Sequence, residues 1–134
     1  MDEMKLLIVS NRLPISVVKQ ENELEFKQSV GGLVSGISDY LSMLNSSSFL
    51  SAKYRWVGSL GINVQLHERE KIAKKLLDEY NCYPLFLPEK VMDKFYHGFC
   101  NKTLWPLLHS FLDYVEYDDE NWQIYNEVNL TFAK

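Results

Sequence analysis

Long hydrophobic runs are missing from this sequence. The apolar stretch near the N-terminus, Leu6 to Val9, is stopped at once by Ser10, Asn11 and Arg12, whereas a membrane-spanning helix needs about 20 apolar residues in a row. It is also too short for the core of a signal peptide, so no membrane partner is expected and the cytosol is the expected compartment. Cysteine is equally scarce. Cys82 and Cys100 form neither a C-x-x-C pair nor a dense framework, which fits two reduced thiols in a reducing compartment. The sequons at Asn45, Asn101 and Asn129 carry no weight in a chain without a secretion signal. Positive charge is short as well: 14 Lys and Arg against 18 Asp and Glu leave a net charge of -4. Nucleic acid is thereby excluded as a partner, because counterion release needs a basic face. An anionic small molecule needs only a local basic pocket. The sequence also lacks G-x-x-x-x-G-K-[ST], H-E-x-x-H and G-x-S-x-G, the signatures of P-loop, zinc-peptidase and serine-hydrolase chemistry. No metal and no cofactor are implied.

What is present suffices for one domain with a core, since 46% of the 134 residues are hydrophobic. Lys5 to Ser10, continuous in apolar and branched residues, reads as a buried parallel strand. Ile15 to Lys19 and Leu24 to Lys27 read as a hairpin about the polar turn Gln20 to Glu23, placed as a flap. Gly31 and Gly32 precede one helical face of Leu33, Ile37, Tyr40, Leu41 and Leu44. Asn45 to Ser51 is a polar loop, Tyr54 to Gly58 a strand, Glu68 to Tyr80 an amphipathic helix and Tyr83 to Leu87 a further strand. Pro88 suits the first turn of the next helix, where Phe95 and Phe99 pack and Gly98 is expected to end or bend the chain. Thr103 is expected to cap another helix, with Pro106 in its first turn and Leu104, Leu107, Leu108, Phe111 and Leu112 buried. Asp119 is expected to cap a last helix carrying Trp122, Tyr125, Asn129 and Phe132. Alternating strands and helices predict an α/β fold: a Rossmann-like open, mostly parallel sheet with flanking helices and an N-terminal hairpin flap.

Three places carry chemistry. A loop at the carboxyl end of the first strand is where open α/β sheets place ligands, and it holds Arg12, whose always-charged planar fork matches phosphate oxygens in pairs. A surface salt bridge is the alternative reading. A helix opening at Gly31 and Gly32 offers bare amides and a positive dipole end to a phosphate, although a glycine pair is also an ordinary turn. Phe95 to His109, FYHGFCNKTLWPLLH, sets Tyr96, His97, Asn101, Lys102 and Trp105 within two turns and a bend. Sugars are gripped by such aromatic faces and hydrogen-bonding groups; an aromatic hinge between core helices is the other possibility. His109 reads as structural, because nothing near it in sequence forms a dyad. His97 has no assigned role.

VSNRLP at Val9 to Pro14, VGGLVSG at Val30 to Gly36, WVGSLG at Trp56 to Gly61, YPLFLP at Tyr83 to Pro88, and the Phe95 to His109 stretch follow one another in this order. Together they resemble the N-terminal part of the trehalose-6-phosphate synthase family, from Leu6 to about Ala133. The resemblance implies a retaining glycosyltransferase of the two-domain B type that joins glucose from UDP-glucose to glucose 6-phosphate in trehalose biosynthesis. It assigns Arg12 and Tyr96 to the acceptor phosphate, Trp105 to the face of the acceptor sugar, and Gly31 with Gly32 to the distal phosphate of the sugar nucleotide. No residue of this chain is implied to be catalytic. Where the family has a second tryptophan or similar bulky residue, this chain has Ser59, and Cys100 replaces the more usual serine.

The same resemblance makes residues 1–134 part of an acceptor-side domain. The family continues beyond it to a buried strand, a His-Asp-Tyr-His segment and a second domain that holds the nucleotide sugar. Two readings follow. The chain is a piece of the enzyme, incompetent for turnover alone because positioning and charge stabilisation come from both halves. Alternatively it is a non-catalytic module that binds sugar phosphate or pairs with a full-length synthase. A free-standing module is expected to cover the Trp122, Tyr125 and Phe132 face; a fragment is expected to leave it or a sheet edge bare.

Overall fold

A computed structural model describes residues 3–20, 23–46 and 51–134. These fall into two units, Met1–Phe86 and Leu87–Lys134.

The first unit contains every strand. β1 (Glu3–Arg12), β4 (Ser51–Ser59) and β5 (Cys82–Leu85) form a parallel sheet in the order β1-β4-β5, and β2 (Ile15–Gln20) pairs with β3 (Glu23–Gln28) as an antiparallel hairpin. Residues 21 and 22 of the expected turn lie outside the described residues, as do 47–50 of the expected polar loop. The register sets Ile8 beside Trp56 and Trp56 beside Cys82, so these three share the face that builds the core. Leu13, Ile15 and Val17 enter that core from the hairpin side, with Ile72 and Leu76 from α2 (Leu66–Tyr80). The hairpin expected as a flap is therefore fastened by packing. Phe26 stacks on Tyr80 with ring centroids 6.1 Å apart, and Lys19 reaches Glu68 at 3.0 Å.

The other sheet face carries Leu7, Val9, Val57 and Tyr83, of which Val9, Val57 and Tyr83 lie side by side. β1 was expected to be buried on both sides, yet Leu7 is 69% exposed and Val9 and Tyr83 are exposed too. The reason is layering: β1 is an edge strand, and the hairpin, α1 (Gly32–Ser46) and α2 supply side chains to the Trp56 face. All-parallel sheets ordinarily have both faces covered. In α1 (Gly32–Ser46), Leu41 and Leu44 are buried and Ile37 packs on the core, whereas Leu33 and Tyr40 of the expected face are exposed. α2 ends where Asn81 turns left-handed, at φ 56°, and its N–H donates to the Leu76 carbonyl, a usual helix stop.

In the second unit Pro88 stands at the N-terminal cap of α3 (Glu89–Met92), and the helical path runs on through wide π-helical turns, Asp93–Leu104, into α4 (Trp105–Leu108). Gly98, expected to end or bend the helix, does not end it. A Cβ on it would lie 2.8 Å from the side-chain amide of Asn121 on α5 (Asp119–Ala133), so the glycine serves the close approach of two helices. Thr103 is not a cap either; it is buried, and its hydroxyl donates to the Glu116 carbonyl. The cap of α5 is Asp118, whose carboxylate accepts from the Asn121 N–H at 2.9 Å, one residue before the expected Asp119. Phe95 and Phe99 pack as anticipated, with the Tyr125 ring 5.7 and 4.7 Å from theirs. Leu107, Leu108, Phe111 and Leu112 are exposed rather than buried. After α4 the chain turns through Ser110, at φ 62°, into the short 3-10 turn Leu112–Tyr114, and no element of this unit is laid over it.

Candidate functional site

The carboxyl end of β1 is shaped by an irregularity. Val9 pairs with Val57 but Arg12 with Ser59, so three steps along β1 match two along β4, the count of a β-bulge. Gly58 makes room for it: a Cβ there would lie 2.8 Å from the Leu13 nitrogen and 2.9 Å from the Ser10 oxygen. Side chains then fix the bulge. The Trp56 indole N–H donates to Ser10 Oγ at 2.7 Å, that hydroxyl donates to the Arg12 carbonyl at 2.6 Å, and Ser59 Oγ donates to the Asn11 carbonyl at 2.7 Å. Leu13 N–H closes the segment onto the Ser59 carbonyl at 2.9 Å. Ser59 is 1% exposed, so this position, bulky in the resembled family, here braces the strand end from inside. Asn11 Oδ1 is buried with no hydrogen-bond partner among the described residues.

The bulge delivers Arg12 to the surface. Its side chain is exposed, and no ion pair or side-chain hydrogen bond of Arg12 is found among the described residues. The salt bridge of the alternative reading is therefore not found among the described residues. The guanidinium rests against the bare Cα of Gly61: a Cβ at Gly61 would stand 2.8 Å from Arg12 Cζ and 2.9 Å from Nη1.

Gly31 and Gly32 open α1 in the same unit, and a Cβ on either would have nothing within 4 Å. Their backbone is accessible from outside. A cleft of about 400 Å³ also opens in this unit, lined by Ser38, Leu41, Tyr54, Trp56 and Tyr80 among others; none of the sequence-predicted site residues lines it.

The second unit holds Tyr96 and Trp105. Tyr96 is half-buried on the π-helical stretch, its ring edge-on to His97 at 5.1 Å. Trp105 is 51% exposed, and its indole stacks on His109 at 4.2 Å and Phe111 at 5.9 Å. His109 Nδ1 lies 2.8 Å from the Trp105 carbonyl, an orienting role that agrees with its reading as structural. Burial pushes the Cys100 thiol up, away from nucleophilic thiolate behaviour.

Sequence reasoning missed Ser10, Gly58 and Gly61. The signal was the glycine spacing of WVGSLG, whose meaning depends on a strand some fifty residues earlier. Among the described residues no cluster of three or more His, Cys, Asp or Glu is placed to hold a metal ion, and no helix is long and apolar enough to cross a membrane.

Comparison with known proteins adds three findings. The model of glycosyltransferase family 20 matches residues 4–134. An alpha,alpha-trehalose-phosphate synthase (UDP-forming) of Aspergillus fumigatus is 40% identical over 131 residues, which is 97% of this chain and 26% of the relative; one from Dictyostelium discoideum is 38% identical over 130 residues, 96% of this chain and 16% of the relative. In structure, the chain is similar to a crystal structure of such a synthase from Burkholderia vietnamiensis, with a TM-score of 0.58 and 25% identity over 96% of this chain and 24% of that one. The chain thus spans about a quarter or less of the length of these relatives.

Proposed function

Because the chain belongs to glycosyltransferase family 20, we propose that it forms the acceptor side of a glucosyl-transfer site, gripping the phosphate of glucose 6-phosphate with Arg12. The observation that carries this reading is an exposed guanidinium at the carboxyl end of a parallel strand with no carboxylate among the described residues paired to it. A cation left without a counter-charge there suits an incoming anion, and two parallel N–H···O bonds give both energy and orientation. In the second unit, by itself, the family reading assigns to Tyr96 a hydroxyl for a phosphate and to the exposed Trp105 indole a flat face for the C–H surface of a sugar.

The donor in this reading is UDP-glucose, with its distal phosphate at the open start of α1. Gly31 and Gly32 present N–H groups without a Cβ to hold the phosphate off, at the positive end of a fifteen-residue helix. The reaction is retaining transfer of glucose to glucose 6-phosphate, and the 134 residues are part of an acceptor-side domain whose nucleotide-sugar domain lies outside them. The cytosol, where the thiols of Cys82 and Cys100 stay reduced, is the compartment this reading requires.

Calorimetry with millimolar glucose 6-phosphate tests it. Binding is expected to be weak, lost in Arg12→Ala and reduced in Trp105→Ala; identical heats for wild type and Arg12→Ala would sink the assignment. The isolated chain is expected to give no glucosyl transfer from UDP-glucose, because half of the charge stabilisation is assigned to the other domain. Robust turnover by the chain alone contradicts that division of labour.

A second reading is a non-catalytic module that pairs with a full-length synthase: the bare faces of Leu7, Val9 and Tyr83 on the sheet, and of Leu108, Leu112 and Trp122 in the second unit, speak against a module that stands free, and this reading has the synthase cover them. Co-purification with a full-length synthase from this family, lost in Leu7→Lys, supports it. Persistence as a monomer in an equimolar mixture argues against it.

A further inference from the structure

Gly61 is the one described glycine with a left-handed backbone, at φ +69°, and it is also where the Arg12 side chain comes to rest. The two facts make separate demands. The left-handed conformation asks for glycine, or for asparagine, which tolerates it. The contact asks for something stricter, since a Cβ would stand 2.8 Å from Cζ, 2.9 Å from Nη1 and 3.1 Å from Nε of Arg12. All three atoms belong to the guanidinium. Any L side chain at 61 therefore drives out the charged head of Arg12 and leaves the backbone around it in place, because the arginine stem is the part free to swing.

We propose that Gly61 is a positioning residue for Arg12: its bare Cα is the seat that holds the guanidinium at the mouth of the sheet, and thereby sets where an anionic phosphate group binds. This rests on the reading of Arg12 as the phosphate ligand. A long cation held by no ion pair would otherwise sample many rotamers, and ordering it only on binding lowers affinity. A flat backbone surface beneath the fork supplies the order without competing for its hydrogen bonds.

Asparagine separates the two demands, because Gly61→Asn keeps the backbone conformation and fills the seat. Nitrogen-15 NMR of the arginine Nε–H groups reads the seat directly, since the chain has only three arginines, Arg12, Arg55 and Arg69, and Arg12→Ala assigns the signal. Gly61→Asn is expected to shift the Arg12 signal, leave those of Arg55 and Arg69 in place, and raise the dissociation constant for glucose 6-phosphate by roughly ten-fold, the loss of one charge-assisted hydrogen bond. An Arg12 signal unmoved by Gly61→Asn overturns the proposal whether or not ligand binding is measurable. Should that variant fail to fold, Gly61→Ala takes its place in the same experiment. The two levels fail differently: unchanged binding in Arg12→Ala removes the phosphate-site reading, whereas binding lost in Arg12→Ala but intact in Gly61→Asn removes only the seat.

Discussion

Trp56 holds Ser10 at 2.7 Å through its indole N–H, and this single bond ties the middle of the sheet to the bulge that presents Arg12. The hydroxyl it grips donates onward to the Arg12 carbonyl at 2.6 Å. The core and the candidate site are joined here by two hydrogen bonds in series.

Trp56→Phe keeps an aromatic ring in the core but removes the donor. Losing a partly buried hydrogen bond costs about 1 kcal/mol, and the smaller ring adds a cavity cost of similar size. Urea unfolding is expected to show a loss of ~1–3 kcal/mol, and, on the proposed reading of Arg12 as a phosphate ligand, glucose 6-phosphate affinity is expected to fall along with it. Stability lost with affinity unchanged would mean that the bulge holds its shape without Trp56.

The outline of this fold was legible because its signals are local. Lys5 to Ser10 gave β1 through its run of branched residues, and the spacing of Ile72 and Leu76 gave α2. The bulge was not legible, since it requires Gly58 to meet Leu13 and Ser10 across a strand pair far apart in sequence. That the helix does not end at Gly98 was not legible for the same reason: glycine signals a break when only its neighbours in sequence are known, and a close approach once Asn121 is seen opposite. The leucines after Trp105 follow a helical spacing, but spacing cannot say whether a partner layer exists to cover them. The resemblance assigned roles to Arg12, Gly31, Gly32, Tyr96 and Trp105; it gave none to Gly61, because nothing in WVGSLG tells that a side chain from residue 12 lies on it.

That difference between spacing and burial is measurable. Leu76 is fully buried and Leu108 is 77% exposed, although both were expected in the core. Leu76→Ala is expected to cost ~3 kcal/mol or more, the transfer and cavity terms of a core leucine. Leu108→Ser is expected within ~0.5 kcal/mol of wild type. Equal destabilisation of the two in thermal or urea unfolding contradicts the exposed placement of the segment after α4.

Gly98 offers a test of opposite sign. Inside a helix, glycine is ~1 kcal/mol worse than alanine, but the new methyl at 98 meets the Asn121 amide at 2.8 Å. That amide ends a side chain able to rotate, so the two effects oppose one another and Gly98→Ala alone is expected near neutral. Measured in the Asn121→Ala background, the same change has its space cleared and is expected to stabilise by up to ~1 kcal/mol. A double-mutant cycle with no coupling between the two positions removes the close-approach account of Gly98.

The last test uses pH. Burial pushes the Cys82 thiol from its ordinary 9.0 up to about 11, and no nearby charge is needed to explain the shift. In the unfolded chain the thiol ionises at its ordinary value, so between pH 9.0 and about 11 the unfolded state binds fewer protons than the folded one. Stability from this group is therefore complete below pH 9.0 and is lost as pH rises toward about 11, with a slope of at most ~1.4 kcal/mol per pH unit. Tyrosines and lysines titrate in the same range, so the informative quantity is the difference between wild type and Cys82→Ala in urea unfolding. That difference is expected to be constant up to pH 8 and to shrink steadily above pH 9.0, because the alanine variant has no thiol to ionise. A difference that stays flat to about pH 11 would show that the thiol reaches water in the native state, and with it that the contact between β5 and α2 is looser than the packing of Cys82 against Ile72 and Leu76 implies.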